Sequence, residues 1–156
     1  MANNFLKAED DQSIYFSRND TTYMLGTYSA HPFTLEDKEW PTVEHYYHAM
    51  KFEDSDYQEK IRLAPSAEKA RKLGRTRFKK IRKDWSNAKT VFMTRAVYTK
   101  CKTYPNISDL LLNTDAKRLV EDSVYDYFWG CGRDRRGTNM YGQVLMNVRD
   151  KLKLEA

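Results

Sequence analysis

The segment PTVEHYYHAMKF, residues 41–52, places three chemically capable side chains on one helical face. Glu44, His48 and Lys51 stand at i, i+4 and i+7. At a rise of ~1.5 Å per residue the carboxylate and the amine lie ~10 Å apart along the axis. That separation would let both approach one small substrate from neighbouring positions. Val43, Tyr46, Tyr47 and Met50 supply bulk on the flanks. A carboxylate there suits general acid–base work. The lysine suits either a phosphate contact or an amine that attacks an aldehyde. The same spacing also describes a solvated face whose Glu44 favours the helix N-terminus. Spacing alone leans towards that plainer reading.

A second constellation is DYFWGCGRDRRGTNMYG, residues 126–142. Asp126 and Trp129 precede Gly130, Gly132, Gly137 and Gly142, which alternate with Arg133, Arg135, Arg136 and Asn139. Glycines allow close backbone approach to a ligand, the indole offers a stacking face, and arginines bind phosphate. Neither a dinucleotide fingerprint nor a Walker lysine–serine pair occurs, so those phosphate-binding folds are not supported. A surface loop around a packed tryptophan would look similar.

Charge is the third signal. The 156 residues contain 27 basic and 22 acidic side chains, a net charge of +5. Residues 69–83, KARKLGRTRFKKIRK, hold nine of the basic residues and no acidic one. The rest of the chain is therefore slightly acidic, and the basicity argues for an anionic ligand at one place. Arg75, Arg77, Lys79, Lys80, Arg82 and Lys83 exceed the two or three cations that one phosphate needs. A solvated basic helix–loop, a phosphate site and a nucleic-acid backbone surface all fit the run.

Other residue types exclude more than they suggest. Cys101 and Cys131 form no disulfide framework, and with His31, His45 and His48 they give no zinc-ligand spacing. The thiols read as structural, His31 and His45 as packing or hydrogen-bonding residues, and neither a metal nor a cofactor is expected. The N-terminus carries no apolar leader, and no run approaches the ~20 apolar residues of a membrane span. The expectation is a cytoplasmic chain without a membrane partner. Its length and its 40% hydrophobic content suit a single domain over residues 1–156.

The elements that must position these residues follow from periodicity and caps. SIYFS, 13–17, reads as a strand, with TTYMLGTYS, 21–29, as its hairpin partner across RND, 18–20. Residues 32–40 read as another extended stretch. Thr42 caps a helix to about Phe52. Ser55 and Gln58 form a capping box for a helix through Leu63, which Pro65 stops. Ser66 caps a helix to Gly74, and Asp84 or Ser86 starts a longer one to about Tyr98. Residues 106–113 read as a short helix, and RLVED, 118–122, as an edge strand or irregular return. Tyr141, Val144, Leu145, Val148 and Leu152 form the apolar stripe of a C-terminal helix. The sum is a single compact, mainly helical α+β domain with a small N-terminal sheet.

The order of motifs resembles the YbiA-like, or NADAR, family. The matching pieces are IYF at 14–16, WPTVEHYYHAMKF at 40–52, GRTR at 74–77 and KDW at 83–85. LLLNTDAKRLVEDS at 110–123 and DYFWGCGRDRRGTNMYGQVLMNVR at 126–149 complete the match, which covers about residues 14–152. The resemblance implies a metal-free N-glycosidase that cleaves a ribosyl C1–N bond. One family activity hydrolyses phosphoribosylamino-pyrimidine intermediates of riboflavin biosynthesis. Another removes ADP-ribose from guanine in DNA. A silent nucleotide-binding module is the non-enzymatic alternative. The implied partner is a phosphorylated ribosyl small molecule or ADP-ribosylated single-stranded DNA.

By the same resemblance Glu44 is the family's glutamate, Lys51 its lysine and Asp126 its aspartate, which together form the catalytic set. Tyr15, His48, Arg75, Arg77, Trp85, Trp129 and Asn139 become substrate contacts. Two departures are visible. The family's Ser-Asn-Phe after the first strand is replaced by GTYSAHPF, with Tyr28 and Ser29 in that neighbourhood. Arg133, Arg135 and Arg136 make the late loop more basic than the riboflavin-type pattern.

Overall fold

The computed structural model describes residues 12–156. Within them the chain is α+β and mainly helical, with six helices and two two-stranded sheets. It divides into two compact units. A central unit runs from Arg18 to Asp109, and a terminal unit joins the chain up to Ser17 with Leu110–Ala156.

The central unit begins with irregular chain and a short hairpin. Strands β1 (Ser13–Phe16), β2 (Phe33–Leu35) and β3 (Lys38–Trp40) come first in sequence, β1 belonging to the terminal unit. β2 and β3 pair antiparallel, with Phe33 opposite Trp40. The two residues between them, Glu36 and Asp37, have φ of 57° and 62°. Positive φ at both positions makes the twist-matched turn of a two-residue hairpin. Residues 32–40 are thus a folded-back pair and not one extended stretch.

Helix α1 (Val43–Met50) is the centre of this unit, and all eight of its residues are buried. Trp40 and Tyr46 meet edge-on at 5.2 Å, and Tyr46 also meets Phe33 and Phe92. Helices α2 (Ser55–Arg62), α3 (Ala67–Gly74) and α4 (Trp85–Thr103) pack against α1. A helix enclosed on every side is ordinarily apolar all round. This one carries Glu44, His45 and His48, so each needs an internal hydrogen-bond partner.

Two boundaries differ from those expected of the sequence. Asp54, and not Ser55, caps α2, accepting from the N–H groups of Asp56 and Tyr57 at 3.0 and 3.1 Å. A carboxylate one residue earlier adds charge to the cap, where the helix dipole favours it. Gln58 turns back to the carbonyl of Phe52. Asp84 is the N-cap of α4, as the sequence suggests, but its carboxylate is engaged by Arg82 at 2.6 Å and makes no side-chain cap bond. α4 itself continues past Tyr98 to Thr103, burying Lys100 and Cys101. Helix α5 (Pro105–Leu112) then carries the chain out of the central unit.

The terminal unit corrects the expected N-terminal hairpin. β1 pairs in parallel with β4 (Arg118–Glu121), from Ser13 opposite Arg118 to Phe16 opposite Glu121. Residues 21–29 form no strand. Asp20 accepts from both the N–H and the hydroxyl of Thr22, and the N–H groups of Thr27 and Tyr28 share the carbonyl of Arg18. These local bonds use up the backbone groups that a ladder would need. β4 supplies fully buried Leu119 and Val120 as the better partner.

Helix α6 (Met140–Glu155) covers this small sheet with Tyr141, Val144, Leu145, Val148 and Leu152, the stripe read from sequence. Asn139 precedes it with φ of 52°. Its side chain accepts from Glu121 N–H at 2.8 Å and donates to Leu119 C=O at 2.9 Å. Asn139 therefore ties the helix start to β4. Asn139→Ala is expected to leave two buried strand groups unpaired and to strain a left-handed backbone. A loss of ~2–4 kcal/mol in urea unfolding is predicted; a change below ~1 kcal/mol would contradict this role.

Candidate active site

Thr42 starts α1, accepting from His45 N–H and meeting His45 Nδ1 at 2.8 Å. His45 Nε2 lies 3.0 Å from Ala64 C=O, so this histidine belongs to the core. Glu44, in the first turn, is only 3% exposed. Oε1 accepts the Thr27 hydroxyl at 2.7 Å, and Oε2 lies 2.7 Å from His48 Nε2. The Glu44 N–H donates to Thr27 C=O at 3.2 Å. Burial by itself pushes the carboxyl up. His48 through charge and hydrogen bond, Thr27 through hydrogen bond and Arg18 through charge outweigh it. Glu44 is consequently held below the ordinary glutamate range, as a buried carboxylate that stays ionised.

His48 sits one turn further on and is likewise buried. The Tyr47 ring meets it at 5.0 Å. Its Nδ1 has no hydrogen-bond partner among the described residues. α3 reaches it through Gly74, where an added Cβ would lie 2.2 Å from Nδ1. Only a residue without a side chain allows α3 to close on the imidazole at that point.

Lys51 ends α1, and its Nζ donates to Gly74 C=O at 2.8 Å. Burial, then the charges of Arg75 and Lys89, push its amine down from the usual lysine value. The basic run is fastened to the same end of the helix. Beyond Gly74 it leaves α3 and returns to α1 through an Ile81–Phe52 bridge. Arg82 N–H donates to Lys51 C=O at 3.0 Å. Part of the run is neutralised, since Lys79 pairs with Asp54 at 3.2 Å and Arg82 with Asp84. Arg75, Arg77, Lys80 and Lys83 remain exposed, and between them Phe78 is 94% exposed. Trp85, at the start of α4, lies 5.1 Å from Tyr47 and stacks on Phe92 at 6.2 Å.

The central unit thus assembles Glu44, His48, Lys51, Arg75 and Trp85 around one helix, while Arg77 lies on the exposed segment beyond Gly74. The other expected site residues lie in the terminal unit. Tyr15, on β1, has the Arg135 guanidinium 5.0 Å from its ring. Asp126 Oδ1 accepts from the N–H groups of Phe128 and Trp129 at 3.0 and 2.8 Å, fixing that turn. Trp129 is buried and meets Phe128 edge-on at 4.7 Å. Gly130 and Gly137 allow the loop to fold on itself, because a Cβ at either would lie within 2.6 Å of Glu121 or of Gly130. Both thiols are buried, and burial pushes Cys101 up to about 11, which suits packing and not nucleophilic attack.

Sequence reasoning missed Thr27, Arg18 and Arg71, which surround Glu44. The hairpin assigned to residues 21–29 concealed Thr27, because a strand reading gives its hydroxyl no role. Arg71 lay within the basic run and acquires its place beside Glu44 and Tyr28 only when α3 packs.

The fold is similar to the NMR structure of the Escherichia coli protein YbiA. The similarity has a TM-score of 0.85 at 37% identity, over 94% of this chain and 88% of that one. The NADAR domain model matches residues 4–153, and the chain belongs to that family. The N-glycosidase YbiA of Escherichia coli is 36% identical over 90% of this chain and 88% of its own length. An N-glycosidase of Nostoc punctiforme is 39% identical, over 90% and 93%. A chloroplastic riboflavin biosynthesis protein of Zea mays, PYRR, is 40% identical over 82% of this chain but only 23% of its own. With these relatives the chain is a glycosidase-type hydrolase.

The close approach of α3 gives a direct test. Gly74→Ala is expected to displace the His48 ring and to cost ~1–3 kcal/mol by overpacking. Urea unfolding and the imidazole nitrogen signals of His48 measure both effects. An unchanged His48 signal would mean that the ring is not held in this way.

Proposed function

We propose that this chain hydrolyses the C1–N bond between a phosphorylated ribosyl group and a nitrogen base, as a cytoplasmic enzyme. The observation that carries the reading is Glu44, a buried carboxylate kept ionised by His48 and Thr27. Cleavage of this bond builds positive charge at C1, and a carboxylate fixed in a water-poor site stabilises it. Lys51 supports the covalent form of the reaction, since burial, Arg75 and Lys89 all favour its neutral amine.

In that form the sugar ring opens to an imine at C1. The Lys51 amine adds to C1, the bond to the base nitrogen breaks, and the base leaves with a proton. The proton that the attacking amine loses ends on the departing nitrogen, while Glu44 stabilises the positive charge that builds at C1. Water then adds to the Lys51 imine, freeing the amine and leaving an aldehyde that closes to the ribose. One water is consumed, one C–N bond becomes C–O, and one N–H is gained. The family resemblance also gives a catalytic role to Asp126 and substrate contacts to Tyr15, Trp129 and Asn139, but nothing in these steps depends on them.

ADP-ribose carried on guanine in single-stranded DNA is the substrate we favour. Phe78 stands almost fully exposed among four exposed cations, on the segment fastened to Lys51. An exposed ring among cations suits a base stacked beside a phosphate backbone. A phosphoribosylamino-pyrimidine is the second reading, favoured by the maize relative's place in riboflavin biosynthesis.

Each substrate is to be supplied separately and the released sugar measured. Glu44→Gln is expected to lower turnover ~10²–10⁴-fold while the fold is kept. Wild-type rates in that variant would sink the assignment, and borohydride reduction should fix the sugar on Lys51. With the DNA substrate, Phe78→Ala should raise KM by ~5- to 100-fold, the worth of one stacked base. Raised salt should weaken the same binding as counterions are released. Turnover of the pyrimidine alone, unaffected by Phe78→Ala, would favour the second reading.

A further inference from the structure

Lys100 is a buried lysine that the reaction above does not use. It lies on α4, is 3% exposed, and has no carboxylate partner among the described residues. Lysines are rarely buried so completely without one. Its Nζ donates to Gly26 C=O at 2.9 Å and to Ser29 Oγ at 2.5 Å. These two acceptors flank Thr27, which is fully buried. Thr27 holds Glu44 twice, through its hydroxyl on Oε1 and its carbonyl on the Glu44 N–H. One short turn is therefore gripped by Lys100 on one side and grips Glu44 on the other.

We propose that Lys100 is a positioning residue for Glu44: it braces the turn of residues 26–29, which sets the Thr27 hydroxyl on the carboxylate. Lys100 touches neither Glu44 nor substrate, and its effect passes through the turn. The proposal rests on the reading of Glu44 given above.

The consequence for Glu44 has a definite sign. A hydroxyl donor favours the ionised carboxyl, so releasing the turn raises the pKa of Glu44. The other groups facing Glu44 remain in place: His45 and His48 on its own helix, Arg18 before the turn, Tyr28 within it and Arg71 on α3. Around Lys100 the titratable neighbours are His31 and Cys101. Burial brings the Lys100 amine down to about 8, with Cys101 opposing it weakly, so Lys100 stays charged in the acid range where Glu44 titrates.

Lys100→Met is expected to move the acid limb of kcat/KM upward by ~0.5–1 pH unit. It should also lower kcat ~10-fold with KM changed less than ~2-fold, the pattern of a group that matters in the transition state. Loss of folded protein alone would shrink the profile at every pH without moving the limb. Thr27→Val should shift the limb in the same direction, and adding Lys100→Met to it should shift it no further. Ser29→Ala, which removes one of the two amine contacts, should give a smaller shift of the same sign should Lys100→Met not fold.

A readout without turnover completes the test, namely titration of the ¹³C-labelled Glu44 carboxyl by NMR in each variant. A raised carboxyl titration in Lys100→Met and in Ser29→Ala supports the brace. An unmoved titration in both, or additive shifts in the double variant, overturns it. Glu44→Gln with wild-type turnover would remove the reaction assigned to Glu44, while the carboxyl titration would still decide whether Lys100 braces the turn. Inactive Glu44→Gln together with an unmoved titration would remove the Lys100 proposal alone.

Discussion

Burying an ionised carboxylate inside a fully enclosed helix is the constraint around which the central unit is arranged. A charge taken from water costs several kcal/mol unless hydrogen bonds and opposite charge replace the lost solvent. Glu44 receives the replacement from three directions: His48 one turn along, Thr27 from the turn before the hairpin, and the charge of Arg18. Each partner places a demand on its own neighbourhood. His48 requires a residue without a side chain on α3, which Gly74 supplies. Thr27 requires a turn that holds its shape, which Arg18 and Lys100 enforce through the backbone.

The same end of α1 organises the basic segment. Gly74 is both the glycine that admits His48 and the carbonyl that receives Lys51, so the run emerges from the site itself. Arg82 brings it back to Lys51 and Met50, and two of its cations are matched by Asp54 and Asp84. The cations left exposed, Arg75, Arg77, Lys80 and Lys83, alternate with these anchors along the segment. What composition presents as one uniform charge run is, in the folded chain, a fastened base and an exposed arm.

Periodicity located the helices because their apolar stripes and caps are local. Thr42, Ser66 and the stripe from Tyr141 to Leu152 all mark their elements within one or two turns. The pairing of β1 with β4 was not legible, since it joins residues about a hundred positions apart and no local rule selects between β4 and a nearby hairpin. Glu44, His48 and Lys51 could be placed on one face from spacing. What spacing withheld was whether that face met solvent or core, and this depends on α2, α3 and α4 closing over it. Thr27 and Lys100 stayed hidden for a related reason. Nothing near either residue in sequence marks it out, and their roles exist only through a turn held by bonds across 17 and 71 to 74 positions.

A cationic surrounding shifts the pKa values at the two ends of α1 in the same direction by one mechanism. Burial penalises the charged form of both groups, raising a carboxyl and lowering an amine. Nearby cations then favour the ionised carboxyl and disfavour the protonated amine, so they lower both pKa values. At Glu44 the positive groups and hydrogen bonds overcome burial, and the carboxylate stays charged. At Lys51 burial, Arg75 and Lys89 act together, and the amine moves towards neutrality. The same sign of neighbouring charge thus keeps the carboxyl ionised and lowers the amine from its ordinary value. Part of the cation density along residues 69–83 therefore acts within the chain: Arg75 helps to lower the Lys51 amine, and Arg71 hydrogen-bonds the Tyr28 hydroxyl next to Thr27.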